Sequence, residues 1–474
     1  MTKVLARASA LILSALWIPL ILSTGVVAYA SSESVEPSFA DAYVHDPSIL
    51  YADGWYYIYG SHMAAAKSRD LMNWTMISYN AQDGCTLVDD ARNQMADALN
   101  WARTNTFWAP SVERMADGRY YMYYCTCEGS SPLSAMGLAV SDSPEGPFVD
   151  RGVFLRSGMT GASDDGTRYN AAIHPNVIDP HVFHDNGGQL WMVYGSYSGG
   201  IFILKMDEST GLPLPGQGYG KKLLGKNHSR IEGSYILYAP ETGYYYLFLS
   251  FGGLESSDGY NIRVARSKNP DGPYVDARGQ DMIDCGGSDG SYFDDKAIEP
   301  YGVKLMGGFR FMPLDGVEPL PQQAYKSPGH NSAYRHPDTG AYYLIFHTRF
   351  STLGDEFRDR AHQFWFNDEG WPVVSPLRFA GETSALDIPL DGEWRVVLHG
   401  GDINKTQHRS IVVQFDDDGT ARGDASGEWN VDSVTLNGVR YQGVFTSGWD
   451  MERNAWVPVF TGLSDDGEAL WGIR

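Results

Sequence analysis

A short phrase of sequence recurs five times between residues 46 and 346. In each copy a turn-forming start leads through a polar or glycine turn into an aromatic, apolar run, as residues 46–50 lead into residues 54–60. The other copies start at residues 109, 179, 232 and 330. Repeated hairpins separated by tens of residues are typical of propeller blades, whereas helical solenoids repeat pairs of helices. The chain is therefore predicted to form a five-bladed β-propeller.

A second repeated sequence pattern indicates further strands of the predicted blades. Residues 138–148 and 264–274 share an apolar strand pattern that runs into Gly-Pro and an aromatic residue. Residues 65–74 form a looser copy of the same pattern. We interpret these stretches as outer strands of the blades.

The composition also favours an all-β chain. Among the 474 residues are 29 Tyr and 53 Gly, and stretches with a helical period are few. The net charge of −22 argues against nucleic acids and anionic membranes as partners. We expect a soluble monomer that acts on a neutral substrate.

Residues 1–30 are predicted to be a secretory signal. Lys3 and Arg7 form a basic start, residues 8–27 are largely apolar, and residues 28–30 fit cleavage after a small residue. An uncleaved anchor is the alternative, because about 20 apolar residues can span a bilayer. We expect secretion, with no membrane attachment after cleavage.

Four cysteines, Cys85, Cys125, Cys127 and Cys285, leave two interpretations open. In an oxidising compartment their even number permits two disulfides, in any of three pairings. A metal site is the less favoured alternative, because the sequence has no Cys-x-x-Cys spacing.

A separate small domain is predicted to follow the propeller. We assign residues 31–380 to the propeller and residues 381–474 to a C-terminal antiparallel β domain of barrel or sandwich type, because short strands with polar turns replace the repeats. Residues 416–419 are predicted to be a hairpin turn rather than a cation site. Residues 286–326, rich in Gly, Asp and Pro, are predicted to form surface loops.

The repeat register gathers ionisable residues around the predicted axis. The first strand of each blade faces the central channel, and equivalent positions carry Asp46, Asp179, Glu232 and His330, with Trp108 in the remaining blade. Cleavage of a glycosidic bond needs one protonated carboxyl group and one ionised carboxylate. A third carboxylate raises the pKa of the acid by like-charge repulsion, and aromatic rings offer flat faces to sugars. The pattern therefore predicts a glycoside hydrolase site.

An ordered set of motifs over residues 40–378 resembles glycoside hydrolase family 43, and within it most closely the extracellular endo-α-1,5-L-arabinanases. The motifs are His45-Asp46-Pro47, Phe107-Trp108-Ala109-Pro110, Asn176-Val177-Ile178-Asp179-Pro180, Gly195-Ser196-Tyr197-Ser198-Gly199-Gly200, Ile231-Glu232-Gly233 and Gly329-His330-Asn331. The C-terminal part resembles the small β domain of the longer members. This resemblance implies a five-bladed propeller that works with inversion on arabinan, a side chain of plant pectin.

The resemblance also implies a role for each site residue. Asp46 is expected to be the general base, Glu232 the general acid, and Asp179 the residue that tunes the pKa of the acid. His330 is expected to hold one axial Ca²⁺ with waters, although calcium prefers oxygen ligands and a lone histidine is more often simply hydrogen-bonded. Trp108 is expected to be a stacking surface, with a core tryptophan as the alternative. Substrate contacts are expected from Asp46, Trp108, Asn176, Val177, Ile178, Asp179, Ser196, Tyr197, Ser198, His228, Ser229, Arg230, Ile231 and Glu232.

Two other functions stay open on the sequence alone. An exo-acting arabinofuranosidase or β-xylosidase of the same family would have a pocket where an endo-acting enzyme has a groove. A non-catalytic sugar-binding propeller could use the same aromatic channel, but it does not need three carboxylates in repeat register. Finally, His181 and His184 are not predicted to be a metal pair, because residues three apart on a strand point to opposite faces.

Overall fold

The computed structural model describes residues 36–81, 85–313, 320, 323–381 and 389–474. Residues 1–30, predicted to be a signal or an anchor, lie outside these ranges. Within them, no helix has the length and apolar character that crossing a membrane requires.

Five antiparallel sheets form the blades of a propeller, as predicted. In each, later strands follow the inner strand outward. The blades contain β1 (Ser48–Ala52), β2 (Trp55–Gly60), β3 (Ala64–Ser68) and β4 (Trp74–Ser78); β5 (Phe107–Arg114), β6 (Tyr120–Cys127), β7 (Ser134–Ser141) and β8 (Val149–Arg156); β9 (His181–His184), β10 (Leu190–Tyr194), β11 (Ile201–Asp207), β12 (Leu212–Pro213) and β13 (Lys221–Leu224); β14 (Ile231–Ala239), β15 (Tyr244–Phe251), β16 (Asn261–Ser267) and β17 (Val303–Met306); and β18 (Phe309–Arg310), β19 (Ala324–Arg335), β20 (Tyr342–Arg349), β21 (Phe357–Phe366) and β22 (Pro372–Val374). In blade three β12 and β13 both pair with β11, and in blade five β18 pairs with the inner strand β19 on its other side.

The inner strands close into a ring around the axis. β1, β5, β9, β14 and β19 contact one another in that order, and β19 returns to β1. Blade five meets blade one where the backbone N–H of Val44 donates to Asp359 Oδ2 at 2.8 Å. This closure brings the first residues of all five blades to one channel.

Apolar side chains between neighbouring blades hold the ring together. In β2, Tyr57 and Tyr59 pack toward blade two, whereas Tyr56 and Ile58 pack toward blade five. Successive side chains of a strand point to opposite faces, so a strand between two blades must be apolar on both. That requirement explains the unbroken aromatic runs of the repeats.

Two regions differ from the sequence-based prediction. The prediction of surface loops over residues 286–326 is wrong in part, because the region contains α3 (Asp295–Ile298), β18 and the buried outermost strand of blade four, β17. The four buried residues of β17, one of them Lys304, are too short a run to show a strand period. Two short helices that were not predicted, α1 (Ala91–Gln94) and α2 (Ala96–Ala102), connect the first two blades.

A closed barrel of eight strands follows the propeller. Its strands are β23 (Gly392–Leu398), β25 (Ile411–Phe415), β26 (Thr420–Gly423), β27 (Gly427–Trp429), β28 (Ser433–Leu436), β29 (Val439–Asp450), β30 (Ala455–Ser464) and β31 (Ala469–Ile473). Side chains such as Trp394 and Phe415 fill the interior, and the predicted turn at residues 416–419 joins β25 to β26. An extra strand, β24 (His408–Arg409), leaves the barrel and pairs in parallel with β18 of blade five.

All four cysteines are free thiols in the structure. Cys125 and Cys127 lie in the core between blades two and three, on one face of β6 as expected. Cys125 Sγ donates to the carbonyl oxygen of Ala109 at 3.3 Å, and Cys127 Sγ to that of Ser131 at 3.5 Å. Neither of the two disulfides that their even number permits is formed.

Candidate active site

The residues that the repeat register places on the axis line one cavity of about 220 Å³. Asp46 precedes β1, Asp179 precedes β9, Glu232 lies in β14 and His330 in β19. Trp108, on β5, lines the same cavity, so it faces the channel rather than only the core. The structure therefore brings the three predicted carboxylates together from three blades.

Asp46 is buried and surrounded by donors. Ser61 Oγ donates to its Oδ2 at 2.6 Å, while Nδ1 of His45 and Nδ1 of His330 lie 2.8 and 3.1 Å from its Oδ1. Burial alone would raise the pKa of Asp46, but attraction to His330 and His45 lowers it well below the ordinary value. Asp46 is thus held as an ionised carboxylate.

Glu232 and Asp179 are buried carboxyl groups whose pKa values are raised, in contrast to that of Asp46. Burial raises the pKa of both, and their mutual repulsion raises that of Asp179 further, against the attraction of His330. Ser196 Oγ and Tyr260 OH each donate to Glu232 at 2.8 Å, whereas Asp179 accepts a longer bond of 3.4 Å from the N–H of Gly233. The pair therefore keeps a proton that an exposed carboxylate would lose, and its titration belongs to both groups.

His330 lies among the three acids. Burial disfavours its charged form, yet Asp46 and Asp179 raise the pKa of His330 to about 10. Gly233 allows this approach, since it has a φ of 59° and a Cβ there would lie 3.1 Å from Cγ of His330. The glycine that follows Glu232 thus makes room for the axial histidine.

A second possible ligand set lies beside it. Ligand atoms of His45, Asp46 and His347 fall within 4.8 Å of one another. However, the rings of His45 and His347 are stacked at 3.9 Å, and Nδ1 of His347 accepts the backbone N–H of Asp46 at 3.2 Å. That nitrogen is already used, so we assign these residues to the support of Asp46.

A second cavity of about 350 Å³ adjoins the first, because Trp108, Glu232 and Leu254 line both. Of these two cavities, Asp46 lines the first and not the second. The two spaces together form a groove that continues past Glu232 on two sides.

Most of the predicted substrate-contact residues line this groove, and some do not. The predicted contact residues that line the second cavity are Trp108, Asn176, Ile178, Ser196, Tyr197, Ser198, His228 and Glu232. Val177 and Ile231 instead pack in the apolar cores between blades. Ser229 and Arg230 also line neither cavity: Ser229 Oγ accepts the N–H of Gly287, and Arg230 pairs with Asp295. Outside this groove, His181 bonds the carbonyl of Ile236, whereas His184 contacts two glutamates, so they form no pair.

Several residues of the site were missed from the sequence. Ser61 and His347 lie at or near the ends of the second strands of their blades, as does Ser250, whose Oγ accepts the N–H of His330 at 2.7 Å. Ser196, which was predicted as a substrate contact, lies just after the second strand of blade three. Ser250 pairs directly with Glu232 in the β14–β15 register. Extending the repeat alignment to the second strands would have found these residues at the strand ends. Leu254 and Tyr260 come from the loop before β16 and carry no such signal.

Comparison with known proteins agrees with this arrangement. The family described as glycosyl hydrolases family 43 matches residues 39–295, and its C-terminal lipocalin-like domain matches residues 376–472. An extracellular endo-α-(1→5)-L-arabinanase of Bacillus subtilis is 50% identical over 463 residues, covering 96% of this chain and 98% of that protein. A family 43 protein of Bacillus licheniformis has a solved structure with 52% identity and a TM-score of 0.89, covering 92% of this chain and 99% of its own. An endo-1,5-α-L-arabinanase of Thermotoga petrophila, with the same coverage, has 46% identity and a TM-score of 0.88.

Proposed function

We propose, since this chain belongs to glycosyl hydrolases family 43, that it hydrolyses internal α-1,5-L-arabinofuranosyl linkages of arabinan with inversion. Relatives at 45–50% identity, aligned along 96% of the chain, are named as endo-α-1,5-L-arabinanases. The observation that carries the proposal is the pairing of Asp46 and Glu232 in one cavity, in opposite electrostatic surroundings.

In the proposed reaction the two carboxyl groups have complementary tasks. Asp46 accepts a proton from a water molecule while the oxygen of that water attacks the anomeric carbon. Glu232 donates its proton to the departing glycosidic oxygen, so the bond breaks without leaving an alkoxide. Asp179 keeps a proton available to Glu232 through their coupled titration. The low pKa of Asp46 and the raised pKa of Glu232 suit these roles.

The shape of the groove supports endo action. An exo-acting arabinofuranosidase or β-xylosidase binds a chain end, and a pocket closed beyond the acid would suit it. Here space continues past Glu232 into the second cavity, so sugars on both sides of the scissile bond have room. A purely sugar-binding propeller would have no use for an ionised Asp46 opposite a protonated acid pair.

Replacement of the two catalytic candidates tests the proposal. We expect Asp46→Asn and Glu232→Gln each to lower kcat for release of reducing ends from debranched arabinan by about 10²–10⁴-fold, because each loses a proton-transfer group. Glu241→Gln, which changes a carboxylate paired with Arg335 outside both cavities, is the control and should keep normal turnover. Near-normal turnover of either site variant would refute the assigned roles.

A calcium ion at His330, held mostly through water, completes the proposal. His330 lies among three buried acids, a setting that favours a cation, and a bound ion would take the place of the proton that His330 otherwise holds. Below it, an axial cavity of about 20 Å³ is lined by Ser234 and Asn331, whose buried Oγ and amide atoms have no hydrogen-bond partner among the described residues. Such a space holds a water molecule, and calcium accepts waters with protein oxygens, so these residues fit a hydrated ion. When bound, the ion would supply positive charge beside the carboxylates.

Chelation tests the metal. We expect EDTA to lower kcat or the melting temperature, and added Ca²⁺ to restore the lost property, whereas a His330→Ala variant should respond to neither treatment. Indifference of the wild-type protein to EDTA in both activity and melting temperature would remove the ion from the account.

We also propose that residues 1–30 direct export and that the protein acts outside the cell, which agrees with the word extracellular in the names of its relatives. We propose further that it acts as a monomer.

A further inference from the structure

Two adjacent aromatic side chains stand exposed on the wall of the second cavity. Tyr292 is 71% exposed and Phe293 51% exposed, whereas most aromatic residues of the chain are buried. Both belong to the segment between β16 and β17, outside the repeats, and both line the cavity that adjoins Glu232. Single exposed apolar residues are common on protein surfaces, but a pair at the edge of a groove marks a contact surface.

The ring of Tyr292 is held in a defined orientation although it is exposed. It stacks on the ring of His228, with centroids 4.0 Å apart and planes at 20°. His228 is itself fixed, because its Nδ1 lies 2.9 Å from Ser198 Oγ. One face of Tyr292 is therefore occupied by His228, and the rest of the ring remains open to the groove and to solvent.

The neighbouring Phe293 anchors the segment. Its backbone N–H donates to the carbonyl of His228 at 3.1 Å, and its ring meets that of Tyr197 edge-on at 5.7 Å. The guanidinium of Arg230 lies 5.6 Å from the ring centroid. Phe293 has a φ of 53°, an uncommon conformation for a bulky residue that persists only where surrounding contacts enforce it.

Hydrogen bonds fix the loop to the groove wall as well. Asn227 Nδ2 donates to the carbonyls of Gly287 and Ser288 at 3.0 and 3.1 Å, and the N–H of Gly287 donates to Ser229 Oγ at 2.7 Å. The loop is therefore attached to the segment that leads into Glu232. An aromatic ring presented in this way loses little conformational freedom when a ligand stacks on it.

We propose that Tyr292 is a stacking platform for an arabinofuranosyl unit of the bound chain, in the second cavity and away from the scissile bond. This inference rests on the proposed function, since it takes the ligand to be an arabinan chain. The open face of the ring accepts the C–H face of a sugar, while Ser198 and His228 offer polar groups beside it. The platform contributes only when the chain is long enough to reach it.

Chain-length dependence tests the platform. We expect Tyr292→Ala to lower kcat/KM for long linear arabino-oligosaccharides about five- to tenfold, as loss of one aromatic contact predicts, and to leave the shortest cleavable substrate unaffected. Tyr292→Phe keeps the ring and should behave like the wild type. Tyr79→Ala, which removes a tyrosine of equal exposure that lines neither cavity, is the matched control.

A binding measurement separates this inference from the proposed function. In the Glu232→Gln background, calorimetry with a long linear arabino-oligosaccharide should give a Kd about five- to tenfold higher when Tyr292→Ala is added. A wild-type protein that releases nothing from linear arabinan yet binds the oligosaccharide through Tyr292 would refute the hydrolase and keep the platform. Equal kcat/KM and Kd with and without the ring, or equal losses on short and long substrates, would overturn the platform.

Discussion

Asp46, Asp179 and His330 all have left-handed backbone conformations, with φ of 62°, 56° and 46°. Residues other than glycine rarely adopt this region, and such strain concentrates where side chains must be aimed at a site. Asp46 and Asp179 lie just before the inner strands β1 and β9, whereas His330 lies within β19 where its register shifts, and all three side chains line the channel cavity. The backbone conformation thus orients these three side chains before any ligand binds.

The pKa shifts of the three carboxyl groups predict the pH dependence of activity. Asp46, with a lowered pKa, sets the acidic limb of kcat/KM below the range of an ordinary aspartate, and the Asp179–Glu232 pair sets the alkaline limb above that of an ordinary glutamate. Asp179→Asn removes like-charge repulsion, so it should lower the pKa of Glu232 and move the alkaline limb down by about one pH unit. An alkaline limb that stays in place would contradict the coupling.

Tyr260→Phe should move the same limb in the opposite direction. The Tyr260 hydroxyl donates to Glu232 Oε1 and favours the ionised form, so its loss should raise the pKa of Glu232. Tyr260 is fully buried, and phenylalanine fills nearly the same space. The measurement is the pH profile of kcat/KM; a downward shift, as with Asp179→Asn, would argue against this role.

At the scale of elements, charged bridges join neighbouring blades. His184 of β9 lies 3.2 Å from Glu113 Oε1 of β5 and 2.7 Å from Glu208 Oε2, which follows β11. The hydrogen bond to Glu113 outweighs burial and, with Glu208, raises the pKa of His184 to about 9. A protonated histidine therefore links blade two to blade three at neutral pH.

This bridge should stabilise the fold in a pH-dependent way. Because the folded-state pKa of His184 is raised from 6.5, its contribution is fully present below pH 6.5 and is lost as the pH rises through about 9. His184→Gln should lower the free energy of unfolding by about 1 kcal/mol near pH 6, discounted for partial exposure, and by almost nothing near pH 10. Urea titrations at both pH values measure this, with Lys221→Gln of an exposed pair as the control. A loss of equal size at both pH values would contradict the bridge.

The hairpin repeats made the inner and second strands predictable, because both faces of those strands are buried and their residue types are constrained. The axial register of Asp46, Asp179, Glu232 and His330 followed from the same repeats. Tyr260, Leu254 and Tyr292 could not be predicted in this way, since they lie on loops whose paths depend on tertiary contacts. β17 was missed because four buried residues are too short a run to reveal a period.

At the scale of the whole molecule, the barrel is bound to blade four through buried cations. Lys304 Nζ on β17 donates to the carbonyls of His399 and Asp402 at 2.9 and 2.7 Å, and Arg263 Nη2 donates to that of Gly401 at 2.6 Å. The same barrel segment continues toward the groove, where Lys405 Nζ lies 3.7 Å from Asp258 in the loop that carries Leu254. The barrel therefore supports a wall of the site.

Removal of one buried cation tests this connection. Lys304→Met should lower the free energy of unfolding by about 2–4 kcal/mol, because it leaves the buried carbonyl of His399 and the partly buried carbonyl of Asp402 without this donor. Lys296→Met, at an 85% exposed side chain, should change little. Thermal unfolding monitored by tryptophan fluorescence measures both variants. An unchanged melting temperature for Lys304→Met would show that the connection adds nothing to stability.

The central claim is that Asp46 and Glu232 cleave a chain which lies along a groove open on both sides of the acid. The most direct measurement is the size distribution of the first products from linear arabinan, by wild type and by the Glu232→Gln variant. The wild type should release a mixture of arabino-oligosaccharides from the earliest time points, and the variant almost nothing. Release of arabinose alone, or equal release by the variant, would contradict the account.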